Sequence, residues 1–81
     1  MDRNYIVEAS RIARRMYLAP EGVPVTPKVC RKAIGFAQLA HADAEAVDRL
    51  GACLTTGQIV AARAMLADIA ITAIESEQEG F

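Results

Sequence analysis

The sequence predicts an all-α fold, a small antiparallel bundle of about four helices that pairs with a second copy of itself. Three observations carry this reading. Sixteen of the 81 residues are alanine, the strongest helix former. Apolar residues recur at helical spacing in four stretches, separated by proline, glycine or polar breaks. The last stretch, residues 58–74, is apolar on two sides in a chain that has little else to cover it.

The first helix is expected over residues 2–18. Tyr5, Ala9, Ile12, Ala13 and Met16 fall on one face, opposite Glu8, Arg11, Arg14 and Arg15. It must stop before residues 19–26, because Pro20, Pro24 and Pro27 forbid continued helix and Gly22 permits a turn. Whether that loop is a contact site or a connector is open from sequence. Thr26 followed by Pro27 is a helix start, with a side-chain cap and a proline at the first helical position. The second helix then spans residues 27–41 and buries Val29, Cys30, Ala33, Ile34, Ala37 and Ala40, with Lys28, Arg31 and Lys32 pointing away.

Asp43 is placed to cap a third helix over residues 44–54, which carries Val47 and Leu50 and an i,i+4 pair of Glu45 and Arg49. Thr55 and Gln58 have capping-box spacing, and Gly57 eases the turn into a fourth helix over residues 57–76. Residues 77–81 form an acidic tail that should fray, since Glu75, Glu77 and Glu79 oppose the helix dipole, and Phe81 is available there as an anchor for a partner.

On the fourth helix Ile59, Ala62, Met65, Leu66, Ile69 and Ala73 make one apolar face. Val60, Ala64, Ala67, Ile71 and Ile74 make a second, divided from the first by Arg63 on one side and by Asp68 and Thr72 on the other. The first face packs on the chain's own helices. The second, with two alanines that allow close approach, suits a partner helix and is the expected self-association interface. The alternative is that this helix is central and both faces are covered within one chain.

Length strengthens the expectation of a dimer. One domain of 81 residues buries a modest fraction of its surface, and apolar content of 53% with no tryptophan and four aromatics makes a thin core. Two cysteines, Cys30 and Cys53, without paired spacing fit a reduced intracellular chain. The first apolar stretch is broken by Glu8 and three arginines before a signal peptide could form, and Arg63 and Asp68 interrupt the longest apolar run, so no membrane span is expected. The chain is therefore expected in the cytoplasm.

The net charge of −1 conceals a division. Residues 1–35 carry seven Lys or Arg against three acids, a net of +4, and residues 36–81 carry two against seven, a net of −5. Arg11, Arg14, Arg15, Lys28, Arg31 and Lys32 share the exposed faces of the first two helices and are the candidate partner-binding basic face. Arginine suits carboxylate and phosphate alike. An acidic protein surface, a nucleic-acid backbone and ordinary solvent are the three readings of this face.

Two stretches carry family resemblances. FAQLAHADAEAVDRL, residues 36–50, resembles a helix-turn-helix of the repressor type, with Ala37, Leu39, Ala40 and Val47 where such motifs bury small and aliphatic side chains. The resemblance implies that the helix from Ala44 enters a major groove. The turn position that the family fills with glycine falls on His41, and the would-be recognition helix carries Glu45 and Asp48 beside Arg49. LGACLTTGQIVAARAMLADI, residues 50–69, is similar to a tetratricopeptide-type hairpin, with Leu50, Gly51, Leu54, Gly57, Ala62 and Leu66 near the expected places. One turn residue and the closing proline are missing. The resemblance implies a helical hairpin that docks on something else.

Catalytic and ligand chemistry is poorly represented. Cys30, His41 and Cys53 lie eleven or more residues apart without the short pairing of a metal site. Cys30 and His41 are three turns apart on one predicted helix, about 16 Å, too far for a nucleophile and its base. The five glycines are scattered, with no phosphate loop among them. No enzyme activity, cofactor, metal or small-molecule substrate is expected. The sequence points to a small homodimeric protein-interaction module of the adaptor, chaperone or inhibitor kind, a class that includes phage-encoded inhibitors of host machinery, acting by occluding a surface of a larger protein. The rival reading is a nucleic-acid-binding transcriptional regulator with a degenerate helix-turn-helix.

Overall fold

A computed structural model describes residues 4–17 and 19–79. Four helices follow one another, α1 (Tyr5–Met16), α2 (Pro27–Leu39), α3 (Ala44–Thr56) and α4 (Ile59–Glu79), with no strand among the described residues. They pack as a helical bundle in which α4 lies mainly on α1 and α3, and α2 packs on α1 and α3. The expectations that rest on Asp2, Leu18, Gly80 and Phe81 lie outside the described residues.

Three of the four helix starts are capped by a side-chain acceptor. The Asn4 side chain accepts the Val7 N–H at 3.1 Å, and Thr26 accepts that of Val29 at 3.4 Å, immediately before Pro27. Asp43 occupies the cap position of α3 without a side-chain cap bond. At α4 the Thr55 and Gln58 capping box does not form. Helix α3 runs on through Thr56, so the Thr55 hydroxyl is turned back to donate to the carbonyls of Gly51 and Ala52. The α4 N-terminus is capped instead by Glu21, whose carboxylate accepts from Ile59 and Val60.

The helix ends are also local in origin. At the end of α3 Gly57 takes φ 76°, and the Gln58 N–H reaches back to the Cys53 carbonyl at 2.9 Å. The end of α2 uses the same bond pattern, with His41 at φ 59° and the Ala42 N–H on the Ala37 carbonyl at 3.0 Å. His41 is the one non-glycine residue at positive φ among the described residues. Gly57 has a second constraint. A Cβ there would stand 2.4 Å from the Val23 nitrogen, because residues 22–25 lie directly on the α3–α4 turn. Hydrogen bonds from Gly22 to Gly57 (2.8 Å) and from Val25 to Leu54 (3.2 Å) fasten the loop there.

Met16, Leu50, Leu54 and Leu66 are the largest side chains with no exposure. Around them lie Tyr5, Ile12, Phe36, Ile59 and Ile69, and seven buried alanines that let the helices approach closely. Tyr5 and Phe36 meet edge to face with centroids 6.4 Å apart. Phe36 and Ala70 belong to this core although the sequence faces drawn above omit them, while Val29, Cys30, Ile34 and Met65 are half-buried against it. No side chain of polar or charged type is buried among the described residues. No helix there is long and apolar enough to cross a membrane.

Candidate protein-interaction surface

The inner face of α4, from Ile59 through Ala62, Leu66, Ile69 and Ala70 to Ala73, is spent on the core. The second face is open for most of its length. Val60, Ala64, Ala67 and Ile71 are exposed, with Val60 at 62% and Ile71 at 48%, whereas Ile74 is half-buried against the core. The physical reason is geometric. Only α1 and α3 flank α4 closely, and two neighbours cover a helix on adjacent sides while leaving the remaining side bare.

Helix α1 widens this apolar surface. Ile6 is 45% exposed and Tyr17 is 72% exposed. A groove between the two helices is lined by Ile6, Ala9, Ser10 and Ala13 of α1 and by Arg63 and Ala67 of α4. Arg63 does not split the surface, because its guanidinium lies over the Tyr17 ring at 5.0 Å. Its charge is held against an aromatic face while its stem covers apolar atoms. Ile6 and Tyr17 are not among the interface residues expected from the fourth helix. The signal for them is present in the sequence, since Ile6, Ala13 and Tyr17 fall on the flank of the first helix between its buried face and Arg14.

The six basic residues of the candidate face, on α1 and α2, are all exposed, but they do not form a single patch. Arg11, Arg15 and Lys32 line one groove between α1 and α2, together with Glu8, Ile12 and Phe36. Arg11 is already engaged by Glu8 at 3.2 Å. Arg31 lines a different, largely apolar groove with Pro24, Val25, Pro27, Cys30, Leu54 and Thr55. Lys28 and Arg14 line neither. A further groove, beside the α2–α3 turn, has Asp43, Asp68 and Glu77 on its walls with His41 and Tyr5. The charge division of the sequence thus becomes a basic groove beside α1 and an acidic one beside α4.

The helix-turn-helix stretch folds as α2, a turn and α3. Ala37 and Ala40 are buried and Val47 is half-buried, as the resemblance implies, but Leu39 is 63% exposed. His41 adopts the left-handed conformation that glycine supplies in that motif. On α3, Glu45 and Arg49 pair at 2.6 Å and Asp48 is exposed, so the outward face is acidic or neutralised. Cys30 is half-buried, and Cys53 is buried with its thiol 3.8 Å from the Met65 sulfur. Among the described residues no three His, Cys, Asp or Glu side chains gather as a ligand set.

Against family models, curated proteins and solved structures, the chain finds no match.

Proposed function

We propose that this chain is a small non-enzymatic protein-interaction module of the adaptor, chaperone or inhibitor kind, an antiparallel helical bundle that forms a homodimer in the cytoplasm and occludes a surface of a larger protein. The observation that carries the reading is the exposed apolar stripe of Val60, Ala64, Ala67 and Ile71, continued on α1 by Ile6 and Tyr17. A contiguous apolar surface on so small a domain marks a contact with another chain. Self-association uses this stripe. The basic groove of Arg11, Arg15 and Lys32 remains open in the dimer and suits an acidic protein surface, with Lys28 and Arg31 exposed elsewhere on α2. A phage-encoded inhibitor of host machinery is one member of this class.

The test is affinity capture from host lysate with the native protein and with a variant carrying Arg11→Glu, Arg15→Glu and Lys32→Glu, each with and without nuclease. The reading expects a stoichiometric protein partner that survives nuclease and is lost with the variant. Capture that is insensitive to the charge reversal contradicts the basic groove as the contact.

One observation favours a second reading, a transcriptional regulator with a degenerate helix-turn-helix. His41 takes φ 59° at the turn position where that motif uses glycine. The exposed Asp43, Glu45 and Asp48 at the start of α3 count against it, since they would face phosphates. DNA binding at low salt that falls steeply as salt is raised would support the regulator, and no binding at low salt removes it.

A further inference from the structure

We infer that in the dimer the two copies pack with α1 of each over α4 of the other, so that Arg14 of one copy faces Asp68 of the second. This rests on the self-association reading above and adds the arrangement, which follows from the edges of the stripe. The apolar surface spans two helices, and each has a charged outer border. On α1 the next position round the helix beyond Ser10 and Tyr17 is Arg14, and on α4 the positions beyond Ile71 and Ala64 are Glu75 and Asp68. Arg14, Asp68 and Glu75 are exposed, and none forms an ion pair among the described residues. The stripe is therefore basic along its α1 edge and acidic along its α4 edge.

A symmetric face-to-face contact has a two-fold axis lying in the interface. If the axis runs across the helices, each edge meets itself, and Asp68 and Glu75 of one copy approach the same acids of the other. If it runs along the helices, the basic edge of each copy meets the acidic edge of the other, and symmetry makes the attraction twice. Electrostatics selects the second arrangement.

The register agrees. Tyr5 touches Glu77 and Tyr17 touches Arg63, which fixes how α1 lies along α4. Arg14 then lies level with the turn of α4 that contains Leu66 and Asp68. Rotation about an axis along the helices leaves that level unchanged, so Arg14 arrives beside Asp68 of the other copy. Ala13 arrives level with Ala67 of the other copy and Ser10 level with Ile71, and the small side chains of Ser10, Ala13 and Ala67 permit close helix approach.

The experiment is sedimentation equilibrium at low salt on the native chain, Arg14→Glu, Asp68→Arg and the double exchange, with helicity checked by circular dichroism. The native chain is expected to be a dimer, each single reversal to weaken it by about tenfold or more, and the double exchange to return it to within about threefold of native. A native dimer whose strength the single reversals do not change, or whose loss the double exchange does not repair, overturns this arrangement and leaves self-association standing. A native chain that is monomeric throughout overturns both.

Discussion

One carboxylate oxygen of Glu21 accepts the backbone N–H groups of both Ile59 and Val60, at 3.0 and 3.2 Å. A residue of the proline-containing loop thus caps a helix that begins 38 positions later. The first N–H groups of a helix have no partner within it, and a negative charge there also complements the dipole. This capping, with the backbone bonds from Gly22 and Val25, makes residues 20–25 a structural clasp on the α3–α4 turn.

Glu21→Ala should therefore lower the stability of the whole chain by about 1 kcal/mol, the usual cost of losing a helix cap. Chemical denaturation measures it. Hydrogen exchange should localise the effect to the amides of Ile59 and Val60, and unchanged protection there would contradict the capping role.

Gly57→Ala should be much worse. The residue is in the left-handed region and its Cβ would collide with the Val23 nitrogen at 2.4 Å, which is backbone and cannot swing aside. A loss of about 2 kcal/mol or more is expected, read as a lowered melting temperature. A variant as stable as the native chain would mean that the loop does not lie on this turn.

His41→Gly should move stability the other way. A side-chain-bearing residue at φ 59° is strained by about 1 kcal/mol, and glycine removes most of that cost while loosening the unfolded chain. A net gain of about 0.5 kcal/mol is expected by denaturation. A loss would show that the imidazole makes a compensating contribution at the turn.

Tyr5→Phe removes the hydroxyl that donates to the Glu77 carboxylate at 2.9 Å, while keeping the ring against Phe36. Stability should fall by about 1 kcal/mol. The effect should appear as increased amide exchange in the last turns of α4, which this contact ties to the start of α1. Equal exchange in both proteins would contradict that link.

The sequence made the helices legible because their signals are local. Thr26 with Pro27, and Gly57, each act within a turn of their own position, and the 3.6-residue spacing of Ala9, Ile12 and Met16 or of Ala62, Leu66 and Ile69 marks the buried faces directly. The Asn4 cap goes unread, and the first helix is expected to start at residue 2. What stayed hidden depends on distant residues meeting. The Glu21 cap required knowing that the loop returns to the α3–α4 turn, and without that contact the spacing of Thr55 and Gln58 suggested a capping box that does not form. The acidic end of α4 illustrates the same limit. The helix runs to Glu79, and Glu77 accepts a hydrogen bond from Tyr5, 72 positions away, which the charge pattern does not show. The exposed stripe was half visible, since Val60 and Ile71 lie on one helix while Ile6 and Tyr17 join them only once α1 is laid alongside.

In the proposed dimer the outer face of α4 is covered by a second copy of the chain. Sedimentation equilibrium of the native protein and of a variant with Ala64→Glu and Ala67→Glu tests it most directly, because both alanines are exposed and glutamate is well tolerated in helices. The native protein is expected at twice the 8.7 kDa chain mass and the variant, still helical, at the single mass. A native protein at the single mass at every concentration, or a variant that remains dimeric, would contradict it.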